Sequence, residues 1–205
     1  MNGGYDDGYR NCLCFWGDEP GSLVRALCDD VKSVRGLAVL DAGCGEGKNA
    51  AFLAAGGAVI DAFDVSDLAI QNGRRHFGDR VGNRWKVGDI RHVDLPNNHY
   101  DIVIAYGLLH CLPSPVEVRE VVARLQRATR VSGYNIVCVF NDRRQELDAH
   151  PGFSPSLLPH ADYIDAYASW KLLKASDLDL TERHPHDNLE HTHSMTRILA
   201  RKASK

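Results

Sequence analysis

Short continuous apolar runs alternate with longer amphipathic stretches along most of this chain. Residues 22–34, SLVRALCDDVKSV, place Leu23, Leu27 and Val31 on one face, with Val24 and Val34 beside it. That spacing predicts an amphipathic helix. GLAVLDA (36–42) is short and apolar enough for a buried strand. A glycine-rich loop follows, then a helix from Lys48 to Ala55 that Gly56 and Gly57 stop. AVIDAFD (58–64) predicts a second strand, and Ser66 stands where it can N-cap a helix running to Phe77. RWKVGDI (84–90) is a third strand, and the strongly apolar YDIVIAYG (100–107) a central fourth. PVEVREVVARLQRA (115–128) reads as a helix opened by proline. Gly133 precedes a fifth strand, YNIVCVF (134–140). DYIDAYASWKLLKA (162–175) predicts a further helix. LDLTER (178–183) and SMTRILA (194–200) are two last strands, paired as a hairpin across a histidine-rich turn. Residues 141–161, with Pro151, Pro155 and Pro159, form the longest irregular piece, and long irregular loops are often functional.

This alternation predicts an α/β fold: a mostly parallel seven-stranded sheet with an antiparallel C-terminal strand and helices on both faces. A chain of 205 residues suits one core. The expected organisation is a single domain over 1–205, with 1–35 as an N-terminal lid and helical segment and 141–175 as a substrate-side insertion. In such sheets ligands bind beyond the carboxyl ends of the strands. The loops after Ala42, Asp64, Ile90, Gly107 and Phe140 should therefore share one crevice.

Composition narrows the classes. Apolar residues make up 44%, charged residues 25%, and the net charge is −3, the balance of an ordinary soluble domain. No basic stripe supports nucleic-acid binding. No apolar run approaches the roughly 18 residues a membrane helix needs, and the start MNGGYDDGYRN lacks the pattern of a signal peptide. The expectation is a cytoplasmic monomer or homodimer acting on a small molecule. Cysteines at 12, 14, 28, 44, 111 and 138 contain no CxxC pair, so they read as reduced thiols rather than zinc ligands or disulfides.

The loop DAGCGEGKN, residues 41–49, carries the chemistry. A phosphate loop needs a glycine where Ala42 stands and Ser or Thr where Asn49 stands. A dinucleotide fingerprint needs a third glycine where Lys48 stands. Asp64, ending the second strand, could still hold a ribose in a variant dinucleotide site. VLDAGCGEGKN more closely resembles the first motif of the class I S-adenosylmethionine-dependent methyltransferases, in which an acidic residue ends the strand and spaced glycines follow. That resemblance implies a Rossmann-like methyltransferase fold with S-adenosylmethionine as cofactor. It implies that Asp41 organises the loop and faces the ligand's ammonium, and that Gly43, Cys44 and Gly45 lie against the cofactor. Asp64 would bind the ribose hydroxyls, Val65 pack on the adenine, Asp89 receive the adenine amino group and Ile90 cover its face. Asn49 and Ala105 would also contact the cofactor, and the loop after the fourth strand, with Tyr106 and His110, would meet substrate and methyl group. VSG before the fifth strand departs from the family's usual PGG.

A narrower resemblance, to the tellurite-resistance (TehB-like) methyltransferases, rests on YRNCLCFWGDEPGSLV, on GCGEGKN ending in Asn49, and on SGYNIVCVF. It implies methyl transfer to a small nucleophile, a chalcogen oxyanion such as tellurite or selenite, or a thiol. Other readings stay open: a small-molecule or natural-product O- or N-methyltransferase, or an inactive binding or assembly protein on the same fold. A hydroxyl or amine acceptor would benefit from a general base, and His110 is the candidate. Arg143, or its neighbour Arg144, could bind an anionic substrate. Tyr5, Tyr9 and Trp16 could close over the cofactor. "HTH" at 191–193 puts two histidines on one face if extended, where His184 or His186 could join them around a metal. A solvated hairpin is the plainer reading, and no native metal is expected.

Overall fold

The computed structural model describes residues 5–78, 84–148, 150, 152–183 and 189–204. Five strands run parallel: β1 (Ala38–Ala42), β2 (Val59–Asp64), β3 (Trp85–Val87), β4 (Tyr100–Tyr106) and β5 (Thr129–Gln145). β6 (Lys171–Glu182) and β7 (His191–Arg201) form the hairpin, and β7 is antiparallel to both β5 and β6. The order across the sheet is β3-β2-β1-β4-β5-β7-β6. Strand order reverses between β1 and β4, which opens a crevice at their carboxyl ends.

The helices are α1 (Asp6–Asn11), α2 (Ser22–Asp30), α3 (Lys48–Ala55), α4 (Asp67–Phe77), α5 (Pro115–Ala128) and α6 (His160–Ala166). Neighbouring residues of a central strand point to opposite faces, and both faces are buried. Val39, Ile60, Ile102 and Ile136 pack with Leu27, Leu53 and Ile70 of α2, α3 and α4. Leu40, Val103 and Val137 pack with Val121 and Leu125 of α5 and Tyr163 of α6. Each such side chain contributes about 1.5–3 kcal/mol. Ser66 Oγ accepts from Ala69 N–H at 3.1 Å and caps α4; Ser114 Oγ does the same for Glu117 N–H at 3.3 Å on α5. Inside α4, a Cβ on Gly73 would lie 1.9 Å from Trp85 Cζ3. The bare backbone is what lets α4 rest on β3.

Several boundaries differ from the pattern. β3 stops at Val87 because the chain turns at Gly88, and Asp89 O then accepts from Val93 N–H at 2.9 Å. α2 ends at Asp30, where Val31 is extended. α1 was not predicted. β5 starts well before Gly133, and its pairing with β4 shifts register between Tyr100 and Ile102. A Cβ at Gly133 would meet Asp101 O at 2.9 Å, so the glycine serves this irregularity inside the strand. The helix predicted over 162–175 is α6 alone, and Lys171 already begins β6. WKLLKA is a good helix former locally. As a sheet edge, residues from Lys171 onward gain a ladder with β7, with one register shift at Leu173, while their charges stay in water. No helix among the described residues is long and apolar enough to cross a membrane.

Candidate active site

The loop after β1 turns through three left-handed glycines, with φ of 64° at Gly43, 55° at Gly45 and 83° at Gly47. At Gly43 a Cβ would also lie 2.7 Å from Leu108 Cδ1. Any side chain there meets both strain and a clash. Asp64 pins the loop from the end of β2. Its Oδ2 accepts from Gly45 N–H and its Oδ1 from Ser66 N–H, each at 2.8 Å. A carboxylate keeps further lone pairs after those two bonds. Burial raises the pKa of Asp64 despite them. Asp41 lies beneath the loop, 1% exposed. Its Oδ2 has no hydrogen-bond partner among the described residues. Burial, opposed by the Ala50 N–H and aided by Asp64, pushes its pKa up to about 7.

A cavity of about 410 Å³ runs from this loop toward the carboxyl ends of β4 and β5 and the β6–β7 hairpin. Gly43, Cys44, Gly45, Asn49, Asp64 and Val65 line it at one end. Asp89, Ile90, Tyr106, His110 and Trp16 line it as well. Two expected cofactor contacts do not. Asp41 sits under the loop, and Ala105, 1% exposed, belongs to the core on the α5 side of the sheet. Strand alternation turns Ala105 away while Tyr106 faces in.

The N-terminal segment covers the loop, held by the loop's own polar residues. Glu46 Oε1 accepts from Cys14 N–H at 2.9 Å and from Asn72 Nδ2 at 3.2 Å. Lys48 Nζ donates to Trp16 O at 2.7 Å, and Asn49 Oδ1 accepts from Gly21 N–H at 2.8 Å. Trp16 Nε1 donates to Tyr9 Oη at 3.0 Å, above Gly45. Glu46 and Lys48 were read only as spacing in the motif. They anchor the N-terminal segment over the loop.

Asp89 is gripped by Arg91, whose Nε lies 3.0 Å from both carboxylate oxygens and whose second side also reaches Glu117. That pairing holds Asp89 below the usual carboxylate range. Arg91 itself lines the cavity, next to the motif residue Asp89 that should have drawn attention to it.

At the far end, His110 is 2% exposed and stacks on Phe140 with ring centroids 3.9 Å apart. Its Nδ1 accepts from Phe140 N–H at 3.1 Å, so the neutral ring carries its proton on Nε2. Burial, with His193 and His150 nearby, pulls its pKa down to about 3. Arg143 is not in the cavity. It is exposed and paired with Asp177 at 2.8 Å and Asp179 at 2.7 Å on β6. Arg144 pairs with Glu146. β5 runs on to Gln145, so both arginines lie on an extended strand rather than in a loop over the site. His184 and His186 lie outside the described residues. His191 and His193 do share one face, and there they meet His150 and Glu182, which the sequence reading did not single out. All six cysteines are free.

A family model described as a methyltransferase domain matches residues 39–133. That stretch holds the glycine loop, Asp64 and Asp89, and it is similar to methyltransferase domains. Hemagglutinin 1 of Eikenella corrodens is 31% identical over 150 residues, 73% of this chain and 49% of that protein. A ubiquinone biosynthesis O-methyltransferase of Nitrosospira multiformis is 30% identical over 112 residues, 53% of this chain and 46% of that one. The chain thus spans about half the length of these relatives. Among solved structures, TehB from Haemophilus influenzae superposes with a TM-score of 0.74 at 19% identity, covering 89% of this chain and 62% of that one. At that identity the likeness is one of fold.

Proposed function

We propose that the protein transfers the methyl group of S-adenosylmethionine to a small, soft nucleophile: a thiol, or a chalcogen oxyanion such as selenite or tellurite. In this reading the loop backbone at Gly43, Cys44 and Gly45 carries the methionyl part and the ribose. The lone pairs left on Asp64 accept from the ribose hydroxyls, and the orphaned Oδ2 of Asp41 balances the ammonium, directly or through water. Asp89 receives the adenine amino group between Ile90 and Val65, and Trp16 closes the lid. The transfer is an in-line displacement in which the sulfonium C–S bond breaks as the acceptor bond forms. The protein's part is to align both partners and exclude water.

One observation carries the choice of acceptor. His110, the histidine at the rim of β4, has its Nδ1 occupied by Phe140 N–H. It offers the cavity a donor, not a base. A thiolate or oxyanion that arrives already charged needs no base, whereas a phenol or amine does. Size agrees, because one cavity of about 410 Å³ has to take cofactor and acceptor together.

A methyl-transfer screen against selenite, tellurite, small thiols, phenols, amines and carboxylates tests this, read as S-adenosylhomocysteine formed. Turnover with the chalcogen or thiol acceptors is expected. Turnover restricted to phenols, amines or carboxylates would favour the O- or N-methyltransferase reading, to which the Nitrosospira relative's name points. Cofactor binding without any transfer would favour a binding protein.

A further inference from the structure

At the acceptor end of the cavity four side chains converge: His150, Glu182, His191 and His193. One ligand atom of each lies within 4.8 Å of every other. They come from three places. His191 and His193 are alternate residues of β7, Glu182 is the residue opposite His191 in the β6–β7 ladder, and His150 belongs to the connection after β5. His193 is fully buried, His191 nearly so, and His150 is 8% exposed. His150 and Glu182 line the cavity.

The ring nitrogens are arranged for coordination. His150 Nε2 lies 3.2 Å from His191 Nε2 and 3.2 Å from His193 Nε2. Donors around a tetrahedral ion with bonds of about 2.0–2.1 Å stand about 3.3 Å apart. Glu182 Oε1 is 3.8 Å from His191 Nε2, a gap that a turn of the carboxylate closes. The opposite nitrogens are tied to acceptors. His191 Nδ1 is 2.8 Å from Leu189 O, a carbonyl that can only accept. His193 Nδ1 is 2.9 Å from Gln145 Oε1, and the amide of Gln145 is oriented by its Nε2 donating to Asn141 O and Ser194 O. Both histidines therefore hold a proton on Nδ1 and present the Nε2 lone pair inward. Two inward lone pairs and a third ring nitrogen meeting at 3.2 Å are a poor hydrogen-bond network and a good ligand set. Acceptors fixing the far ring nitrogen are the usual surroundings of metal-bound histidine. Tyr5 and Phe153 border the group, with ring centroids 6.1 Å and 6.2 Å from that of His150, and Phe140 stacks on His193 at 4.1 Å.

We propose that His150, Glu182, His191 and His193 bind a divalent transition metal of the zinc class at the acceptor end of the cavity. This reverses the expectation of no metal drawn from the sequence. Three imidazoles and one carboxylate are borderline donors that suit Zn²⁺, Co²⁺, Fe²⁺ or Ni²⁺ rather than Mg²⁺ or Ca²⁺. A consequence rests on the methyl-transfer reading. An ion held there can bind the acceptor as its anion, the acceptor's proton leaving to solvent, so that thiolate or oxyanion is presented to the methyl group without a protein base. The methyl then passes to that atom and S-adenosylhomocysteine leaves.

Untagged protein, stripped with a chelator and dialysed, is titrated with Zn²⁺ and, separately, Co²⁺. Bound metal is read by elemental analysis and calorimetry, and the Co²⁺ complex by its visible ligand-field bands. One ion per chain is expected, with nitrogen-rich low-symmetry cobalt bands. His193→Ala and His191→Ala should each weaken metal affinity at least 100-fold. Gln145→Ala, which removes the acceptor behind His193 and leaves all four proposed ligands in place, should weaken it about 10- to 100-fold. Circular dichroism and S-adenosylmethionine binding check that each variant is folded. Folded wild-type protein that takes up no Zn²⁺ or Co²⁺, or that binds it unchanged in all three variants, overturns the site. Stoichiometric metal with no acceptor methylated leaves the site standing and removes the methyl-transfer reading. Full turnover in stripped protein under chelator does the reverse to the ion's role.

Discussion

The chemistry of individual residues follows from what each side chain is already bonded to. Both oxygens of Asp64 are engaged at 2.8 Å by backbone N–H groups, so the carboxylate is fixed before any ligand arrives. Asp64→Asn keeps the size but gives up the charge and one acceptor. S-adenosylmethionine affinity should fall about 10- to 100-fold, the worth of one charge-assisted hydrogen bond at about 1.5–3 kcal/mol. An unchanged dissociation constant by calorimetry would remove the ribose role. His110 makes the opposite case. Its ring supports Phe140 by stacking and by accepting Phe140 N–H. His110→Ala leaves a buried donor unpaired and a void beside the ring, a loss of about 2–4 kcal/mol. Chemical denaturation measures it. Stability equal to wild type would show that the N–H finds another partner.

Elements show where local pattern is sufficient and where it is not. α3 and α5 begin and end where the sequence places them, because proline, glycine and apolar spacing act within a few residues. The first half of β6 was hidden, although LDLTER marked the second, because only β7, more than twenty residues further along the chain, makes KLLKA a strand. The same distance explains the site. DAGCGEGKN was legible because its three glycines, Asn49 and Asp41 are consecutive. Arg143 was misplaced because its direction depends on how far β5 extends. Glu182 was missed because only the hairpin register brings it to His191, and His150 because no local pattern fixes where the connection after β5 packs. An N-terminal segment anchored by the loop makes its own prediction at this scale. Glu46→Ala removes the acceptor for Cys14 N–H and Asn72 Nδ2. Limited proteolysis should then cut before Ser22 at least several-fold faster, while the α5 side of the core stays protected. No change in cleavage would mean that the remaining contacts, from Lys48, Asn49, Ser66 and Asn72, are enough to hold the segment.

For the whole molecule, the buried carboxyl of Asp41 couples stability to pH and to the cofactor. Its pKa is about 7 in the folded chain against 3.8 for an unperturbed carboxyl. Between those values the folded state holds a proton that the unfolded state has lost. The contribution of Asp41 to stability is therefore full below about pH 4 and is lost as pH rises toward 7. At about 1.4 kcal/mol per pH unit the loss amounts to a few kcal/mol. His110 works the other way, since a ring kept neutral down to about pH 3 loses stability as pH falls below 6.5. The difference between wild type and Asp41→Asn isolates the carboxyl. Thermal melts of the cofactor-free protein should show the variant gaining on wild type from pH 5 to 8, by about 1–3 kcal/mol at the upper end. In the proposed pose, cofactor reverses the preference, because its ammonium would favour the ionised carboxyl. Wild-type affinity should then rise with pH up to about 7, binding at pH 6 should release close to one proton, and the variant should show neither. Matching pH profiles in the two proteins, with and without S-adenosylmethionine, would place the ammonium away from Asp41.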